Sequence, residues 1–224
     1  MNANKTITAQ DRAAIEQQIA KIEQTTSAEI VCAAATESGR YDRAESIIGI
    51  FTGSAALAVA HLIDSQLVHP GDWSTTGISI FFQVLALVAG FVLGNYLASF
   101  FTTIRRPFVL ESHLENETER AASFLFANHL VGKTKSRCGI LIYLSLFERR
   151  IVILPDEKCR EALGDEAIQA ICQSAIPLLR KKEHRQAILQ TIDQMSAKLT
   201  KLLPADREIE ENELADHVLV LHRP

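Results

Sequence analysis

Residues 120–156 read RAASFLFANHLVGKTKSRCGILIYLSLFERRIVILPD, and this stretch decides the fold. Its beginning completes a helix predicted over 113–130, with Leu114, Ala121, Ala122, Leu125 and Phe126 toward a core and Glu115, Glu117 and Glu119 toward solvent. A polar break over 133–137 ends that period. Two apolar runs follow, 138–146 and 150–154, joined only by Phe147, Glu148 and Arg149, a spacing that predicts adjacent strands in a hairpin. Nearly every position in both runs is apolar, which predicts central strands covered on both faces.

Helices should do the covering. Downstream, 157–163 predicts a short helix ended by Gly164, and Asp165 is expected to cap a second one carrying Ala167, Ile168, Ile171 and Cys172, with Pro177 kinking or ending it. Over 183–203, Ile188, Ile192, Met195, Leu199 and Leu202 recur at helical spacing before Pro204. Upstream, 8–24 predicts an amphipathic helix with Thr8 as its cap, Asp11 three residues on and Ile15, Ile19 and Ile22 on one face. The run AEIVCAA at 28–34 predicts a buried first strand. The tail, 205–224, sets six acidic residues against Arg207 and Arg223, and its HVLVL run at 217–221 fits an edge strand or a loose end equally well.

Between first strand and second helix lies a different kind of sequence. Residues 46–101 contain no Lys or Arg and only two carboxylates, Asp64 and Asp72. Residues 46–63 form an uncharged run that would rise about 27 Å as a helix. Residues 75–101 form a longer one of roughly 40 Å, with Gln83 and Asn95 its only strongly polar side chains. A soluble helix keeps a polar stripe, so both are read as transmembrane spans. Arg40 and Arg43 before the pair and Arg105 and Arg106 after it, against a turn without Lys or Arg, place both termini in the cytoplasm. Trp73 fits an interfacial anchor on the far side, and His61 fits the interface beside Asp64 better than an ion site. Gly49 with Gly53 and Gly90 with Gly94 form small-xxx-small motifs that serve packing within the hairpin or between two copies. The polar N-terminus has no apolar core of a secretory signal, so the first span is expected to target the chain.

Composition limits the function classes. With 23 basic and 27 acidic residues, a net charge of −4, the chain has no cationic field for nucleic acid. Its 47% hydrophobic content and 10 Gly and 6 Pro among 224 residues suit an ordered protein. Cys32, Cys138, Cys159 and Cys172 lack a CxxC spacing and are expected as buried thiols on a reducing side. No P-loop, GxGxxG, HExxH or GxSxG occurs.

What remains is a polar constellation around the strand pair: Arg120, Thr134, Lys135 and Arg137 before it, Glu148, Arg149 and Arg150 at its turn, Asp156 at its exit. Asp156, past a buried strand, could hold a cation or act as a base, or could cap the helix beginning at Glu157. Glu148 with Arg149 or Arg150 could bind a ligand or form an exposed turn pair. His113 and Glu117 share a helix face, yet two ligands do not define a metal site.

The stretch 120–156 resembles the signature of the TPM domain family: an Arg-Ala helix, Thr and Arg before a GxLIxxSL strand, an ERxVxIL strand and a terminal Asp. Residues 7–32 are similar to its first helix and strand, and 169–204 to its closing helices. The resemblance implies an α/β sandwich with helices packed on a small central sheet, often membrane-attached. It also implies links to repair and upkeep of membrane complexes, and to weak acid phosphatase activity with calcium. The expected organisation is a split cytoplasmic TPM-like domain, 1–44 and 105–204, an inserted hairpin at 45–104, and the acidic tail 205–224. The uncharged runs, their flanking arginines and the net charge predict a two-span cell-membrane (inner-membrane) protein whose partners are the bilayer, other membrane proteins and, through the glycine motifs, a second copy, with no nucleic acid. The first functional expectation is an interaction or maintenance factor for membrane protein complexes. The alternative is a metal-dependent phosphomonoester hydrolase using Asp156, alone or with Glu148, as ligand to a divalent cation such as calcium, and Arg137 or Arg149 for phosphate. The scarcity of carboxylates beside Asp156 favours the first.

Overall fold

A computed structural model describes residues 2–67, 77–128, 138–205 and 218–224. The chain divides into two compact units, Met1–Gly39 with Glu111–Pro224, and Arg40–Leu110.

The first unit is built on a four-stranded mixed sheet of β1 (Glu29–Ala35), β2 (Gly139–Ser145), β3 (Arg150–Pro155) and β4 (Leu219–Leu221), in the order β3-β2-β1-β4. β1 runs parallel to β2 and to β4, and β2 pairs antiparallel with β3, Ile142 opposite Ile153. The tail's HVLVL run thus supplies an edge strand. β2 is central, as its apolar run predicts, but β3 is an edge. Its apolar run reflects helices on both of its faces rather than a second strand beside it.

Strand alternation sorts the core into two layers. Ile30, Cys32 and Ala34 of β1 and Ile140, Ile142 and Leu144 of β2 face one way, into a cluster with Ile15, Ile19, Ile188, Ile192, Met195 and Leu199. Those side chains come from α2 (Ala9–Glu23) and α9 (His184–Leu202), joined there by α7 (Glu157–Leu163) and α8 (Asp165–Arg180). Val31, Ala33, Leu141 and Tyr143 face the other way, against Ala121, Ala122 and Leu125 of α6 (Glu111–Asn128). The result is the α/β sandwich that the family resemblance implies.

Local chemistry sets the helix ends. Thr8 and Asp11 form a reciprocal capping box at the start of α2. Gly164, at φ 78°, ends α7 and is itself the N-cap of α8, so Asp165 is the first helical residue and not the cap. Pro177 lies inside α8, which continues to Arg180. One helix has no counterpart in the sequence reading: α1 (Ala3–Thr6), capped by Asn2, whose Ala3 N–H donates to Thr36 Oγ1 at 2.8 Å.

The second unit holds α3 (Asp42–Leu67), α4 (Ile80–Phe100), α5 (Thr102–Arg105) and a 3-10 turn, Arg106–Phe108. α3 begins four residues before the expected span because Asp42 and Glu45 occupy its first turn, where acidic groups suit the helix dipole. α4 begins later than expected, at the Ser79 cap.

The four glycines lie where these two helices approach each other. A Cβ on Gly53 would stand 2.8 Å from the Leu87 carbonyl oxygen, and one on Gly90 would stand 2.9 Å from that of Thr52. Thr52 Oγ1 donates to the Gly90 carbonyl at 2.8 Å across the same contact. Gly90→Leu is expected to force the helices apart at a cost of about 2 kcal/mol. Engineered cysteine pairs across α3 and α4 should then crosslink more slowly in the variant than in its parent, and an unchanged rate would contradict this close approach.

Candidate functional site

The C-terminal ends of parallel strands are where α/β sheets place their working groups. Here that end is occupied by a buried polar knot. Leaving β1, the chain runs Thr36, Glu37, Ser38, Gly39, and leaving β2 it makes the tight turn to β3 with Arg149 at φ 54°. Glu148 in that turn is folded inward and is 1% exposed. Its Oε1 accepts the Ser38 N–H at 2.8 Å and its Oε2 accepts the Ser145 hydroxyl. Ser38 Oγ donates to Ser145 Oγ at 2.8 Å and lies 2.9 Å from the Tyr143 hydroxyl. Burial pushes the Tyr143 phenol well above its ordinary range, against the Ser38 hydrogen bond, so it serves as a neutral partner. Beside the knot, buried Glu37 pairs with Arg223, which ties the chain's end to the exit of β1. Glu148 is therefore a latch between two strand ends, not an exposed turn pair.

Asp156 lies elsewhere. It follows antiparallel β3, so it sits at the N-terminal end of parallel β1 and β2, the length of β3 away from Glu148, roughly 20 Å at about 3.3 Å per residue. Its N–H donates to Gly139 O at 2.7 Å, and its Oδ1 caps α7 by accepting the Glu157 N–H at 2.7 Å. Its Oδ2 is enclosed without a hydrogen-bond partner among the described residues. Asp156→Ala is expected to cost about 1 kcal/mol of stability as a lost cap. Denaturant unfolding of the two proteins checks this, and an unchanged midpoint would remove the capping role.

The other residues of the constellation are spread out. Arg120 is exposed on α6 and pairs with Glu117 at 3.7 Å, which also meets His113 at 3.6 Å. Arg150 holds Glu115 at 3.1 Å and Glu111 at 3.6 Å. Thr134, Lys135 and Arg137 lie outside the described residues. The structure thus brings Glu148 together with Ser38, Tyr143 and Ser145, three residues the sequence reading did not single out, and does not bring it to Asp156. Among the described residues no group of three or more His, Cys, Asp or Glu side chains is gathered to hold a metal ion.

The cysteines require a correction. Cys138 and Cys159 form a disulfide with Cα atoms 5.3 Å apart, linking the start of β2 to α7, whereas four free thiols were expected. The reason is topological: the cap at Asp156 turns α7 back across the strand end, so a residue 21 positions away arrives beside Cys138. Both residues are interior, where a reductant has little access. Cys32 and Cys172 remain thiols, pushed by burial to about 12 and about 11.

At the start of α9, burial first and then the charges of Lys182 and Arg149 hold the His184 imidazole below its ordinary value of 6.5. The folded state therefore favours neutral His184. Its contribution is fully present above about pH 6.5 and is lost as pH falls through the lowered value. His184→Gln should lose less stability than wild type between pH 7 and pH 5 in thermal unfolding, and parallel curves would show that His184 carries none of the acid limb.

A family model described as the TPM domain matches residues 102–198. That stretch includes α6 to α8, β2, β3 and most of α9; β1 and α2 lie outside it but share the sheet and core of the same unit. No curated protein matches the chain. Among solved structures, the NMR structure of BA42 protein from the psychrophilic bacterium Bizionia argentinensis is similar, with a TM-score of 0.53 over 95% of this chain and 94% of that one at 16% identity. At that identity the likeness is one of fold.

Proposed function

The chain carries a TPM domain over residues 102–198, and from that premise we propose that it is a membrane-anchored TPM-domain protein serving as an interaction or maintenance factor for membrane protein complexes. The anchor is the hairpin of α3 and α4, crossing the cell membrane with both termini cytoplasmic. One observation carries the anchor: both helices are long and apolar enough to cross a membrane, and their large apolar side chains point outward, Ile80, Phe81 and Phe51 being 72%, 68% and 64% exposed. The core helix of a soluble protein buries such groups; a surface of this extent needs lipid or protein against it.

The base of the hairpin suits the polar boundary of a bilayer. Arg105 meets Glu45 at 2.5 Å, Ser99 donates to Glu45 at 3.0 Å, and the Tyr41 ring lies 6.0 Å from the guanidinium. At the opposite end Asp64 accepts the Ile78 N–H at 2.5 Å.

A docking role, rather than catalysis, is supported by the use the fold makes of its acidic groups. Glu148 is consumed by strand-end amides and hydroxyls, and Asp156 by a helix cap at the far end of the sheet. The hydrolase alternative draws on the enclosed Oδ2 of Asp156, which has no hydrogen-bond partner among the described residues. Site-specific photocrosslinkers on the outer surface of α6, in native membranes, test the reading. Adducts with integral membrane proteins are expected; adducts confined to water-soluble proteins, or calcium binding and aryl phosphate turnover lost in Asp156→Asn, would contradict it.

A further inference from the structure

The outer edge of β3 lies at the bottom of a slot of about 510 Å³ walled by α6 and α8. Because Asp156 N–H donates to Gly139 O, the antiparallel ladder makes 154 with 141 and 152 with 143 its hydrogen-bonded pairs, which turns the N–H and C=O of Ile151 and Ile153 away from β2 and toward the slot. No strand pairs with them among the described residues. The Cys172 sulfur takes the Ile153 backbone hydrogen bond, a weak stand-in for a carbonyl. Pro155 has no N–H and ends the edge. Proteins normally cover or charge such an edge, since it accepts another chain.

The slot's walls are apolar low down, with Ile168 and Ile176 on the α8 side and Val152 and Leu154 from β3. Its rim is acidic: Glu115, Glu119 and Asp165 line it against Arg150 alone. Arg150 is already engaged by Glu115 and Glu111, and Asp165 meets Arg160 at 3.8 Å, so four carboxylates, Glu119 among them, stand against two guanidinium groups and the mouth stays negative on the Glu119 side.

We propose that this slot is the docking site of the TPM-like domain, and that its ligand is a short extended peptide segment of a partner protein, alternating apolar and basic side chains, which adds to β3 as a further strand. Main-chain hydrogen bonds to Ile151 and Ile153 would supply affinity, the Ile168 and Ile176 wall would take the apolar side chains, and Glu115 and Glu119 would select Lys or Arg. This rests on the docking reading above and specifies the partner's chemistry.

The test uses the full-length protein in nonionic detergent and a fluorescent probe peptide, acetyl-Lys-Val-Lys-Val-Lys-Val-amide, read by anisotropy. Saturable binding is expected, about tenfold weaker for the Glu-Val analogue and for the fully N-methylated peptide, which keeps the side chains but has no main-chain N–H to donate. Cys172→Trp, which fills the slot, should abolish it, and the surface change Glu119→Lys should weaken it even if the tryptophan variant fails to fold. Absence of binding by the Lys-Val peptide, equal affinity for the N-methylated form, or unchanged affinity of Glu119→Lys would overturn the proposal. If the photocrosslinks to membrane proteins persist in a folded Cys172→Trp variant, the docking function stands and this slot is not its site; if wild type gives none, the function itself fails.

Discussion

Glu148→Ala is expected to lower the unfolding free energy by about 3–5 kcal/mol, from two buried donors left unsatisfied at about 1–3 kcal/mol each. Alanine takes away both carboxylate oxygens and leaves the Ser38 N–H and the Ser145 hydroxyl without acceptors in an interior where water cannot replace them. It also removes one of the links between two strand ends 110 positions apart in the chain, leaving the Ser38–Ser145 hydroxyl bond and the Phe147 N–H to Thr36 carbonyl bond to hold them. Glu148→Gln keeps the shape and one carbonyl oxygen, and should cost about 1–2 kcal/mol. Thermal unfolding of detergent-solubilised protein, followed by far-ultraviolet circular dichroism, reads the difference as a fall of roughly 10 °C for alanine and less for glutamine. If alanine melts with wild type, Glu148 does not latch the strand ends.

The second large effect is at Cys138 and Cys159. Replacing both by Ser is expected to destabilise the first unit by about 3 kcal/mol, the loop-closure contribution of a crosslink across a segment of this length. That segment contains the whole β2–β3 hairpin, so opening it loosens the sheet's centre and α7 together. Denaturing the unreduced protein and counting thiols should give two alkylated cysteines, Cys32 and Cys172, and four after reduction. Four without reduction, or a double variant as stable as wild type, would show that the pair is not bonded.

The elements came through in the sequence wherever periodicity is local. The helical spacing of Ile15, Ile19 and Ile22, the continuous apolar run GILIYLS, and the Thr8–Asp11 box each depend on neighbours a few residues apart, and each stands in the structure at nearly the expected place. What was not legible depends on distant chain. The apolar run RIVIL looks central because both its faces are covered, and only the strand order reveals an open edge. Leu219–Leu221, within the HVLVL run, becomes a strand because β1 offers it a parallel partner some 185 residues upstream. α1 is four residues without a period, held by its Asn2 cap and by Thr36.

The site was legible only in part, for the same reason. Asp156 followed by Glu157 is a local cap signal, and capping was one of its two readings. Glu148 in a turn beside two arginines looks like a solvated charge until the fold carries Ser38 to it. The disulfide was hidden by spacing and by the reducing compartment inferred from the arginines around the hairpin. Cys138 and Cys159 meet because a helix cap redirects the chain, which no pattern of cysteines records.

All of this presupposes that the hairpin lies in a membrane. The most direct measurement is alkaline carbonate extraction of membranes from cells expressing the full-length chain, with its partner-free distribution followed by immunoblot. The protein should remain in the membrane pellet, like an integral protein, and should leave it only with detergent. Release into the carbonate supernatant would mean that α3 and α4 cover their apolar surface with protein rather than lipid, and the anchored-domain account would be wrong.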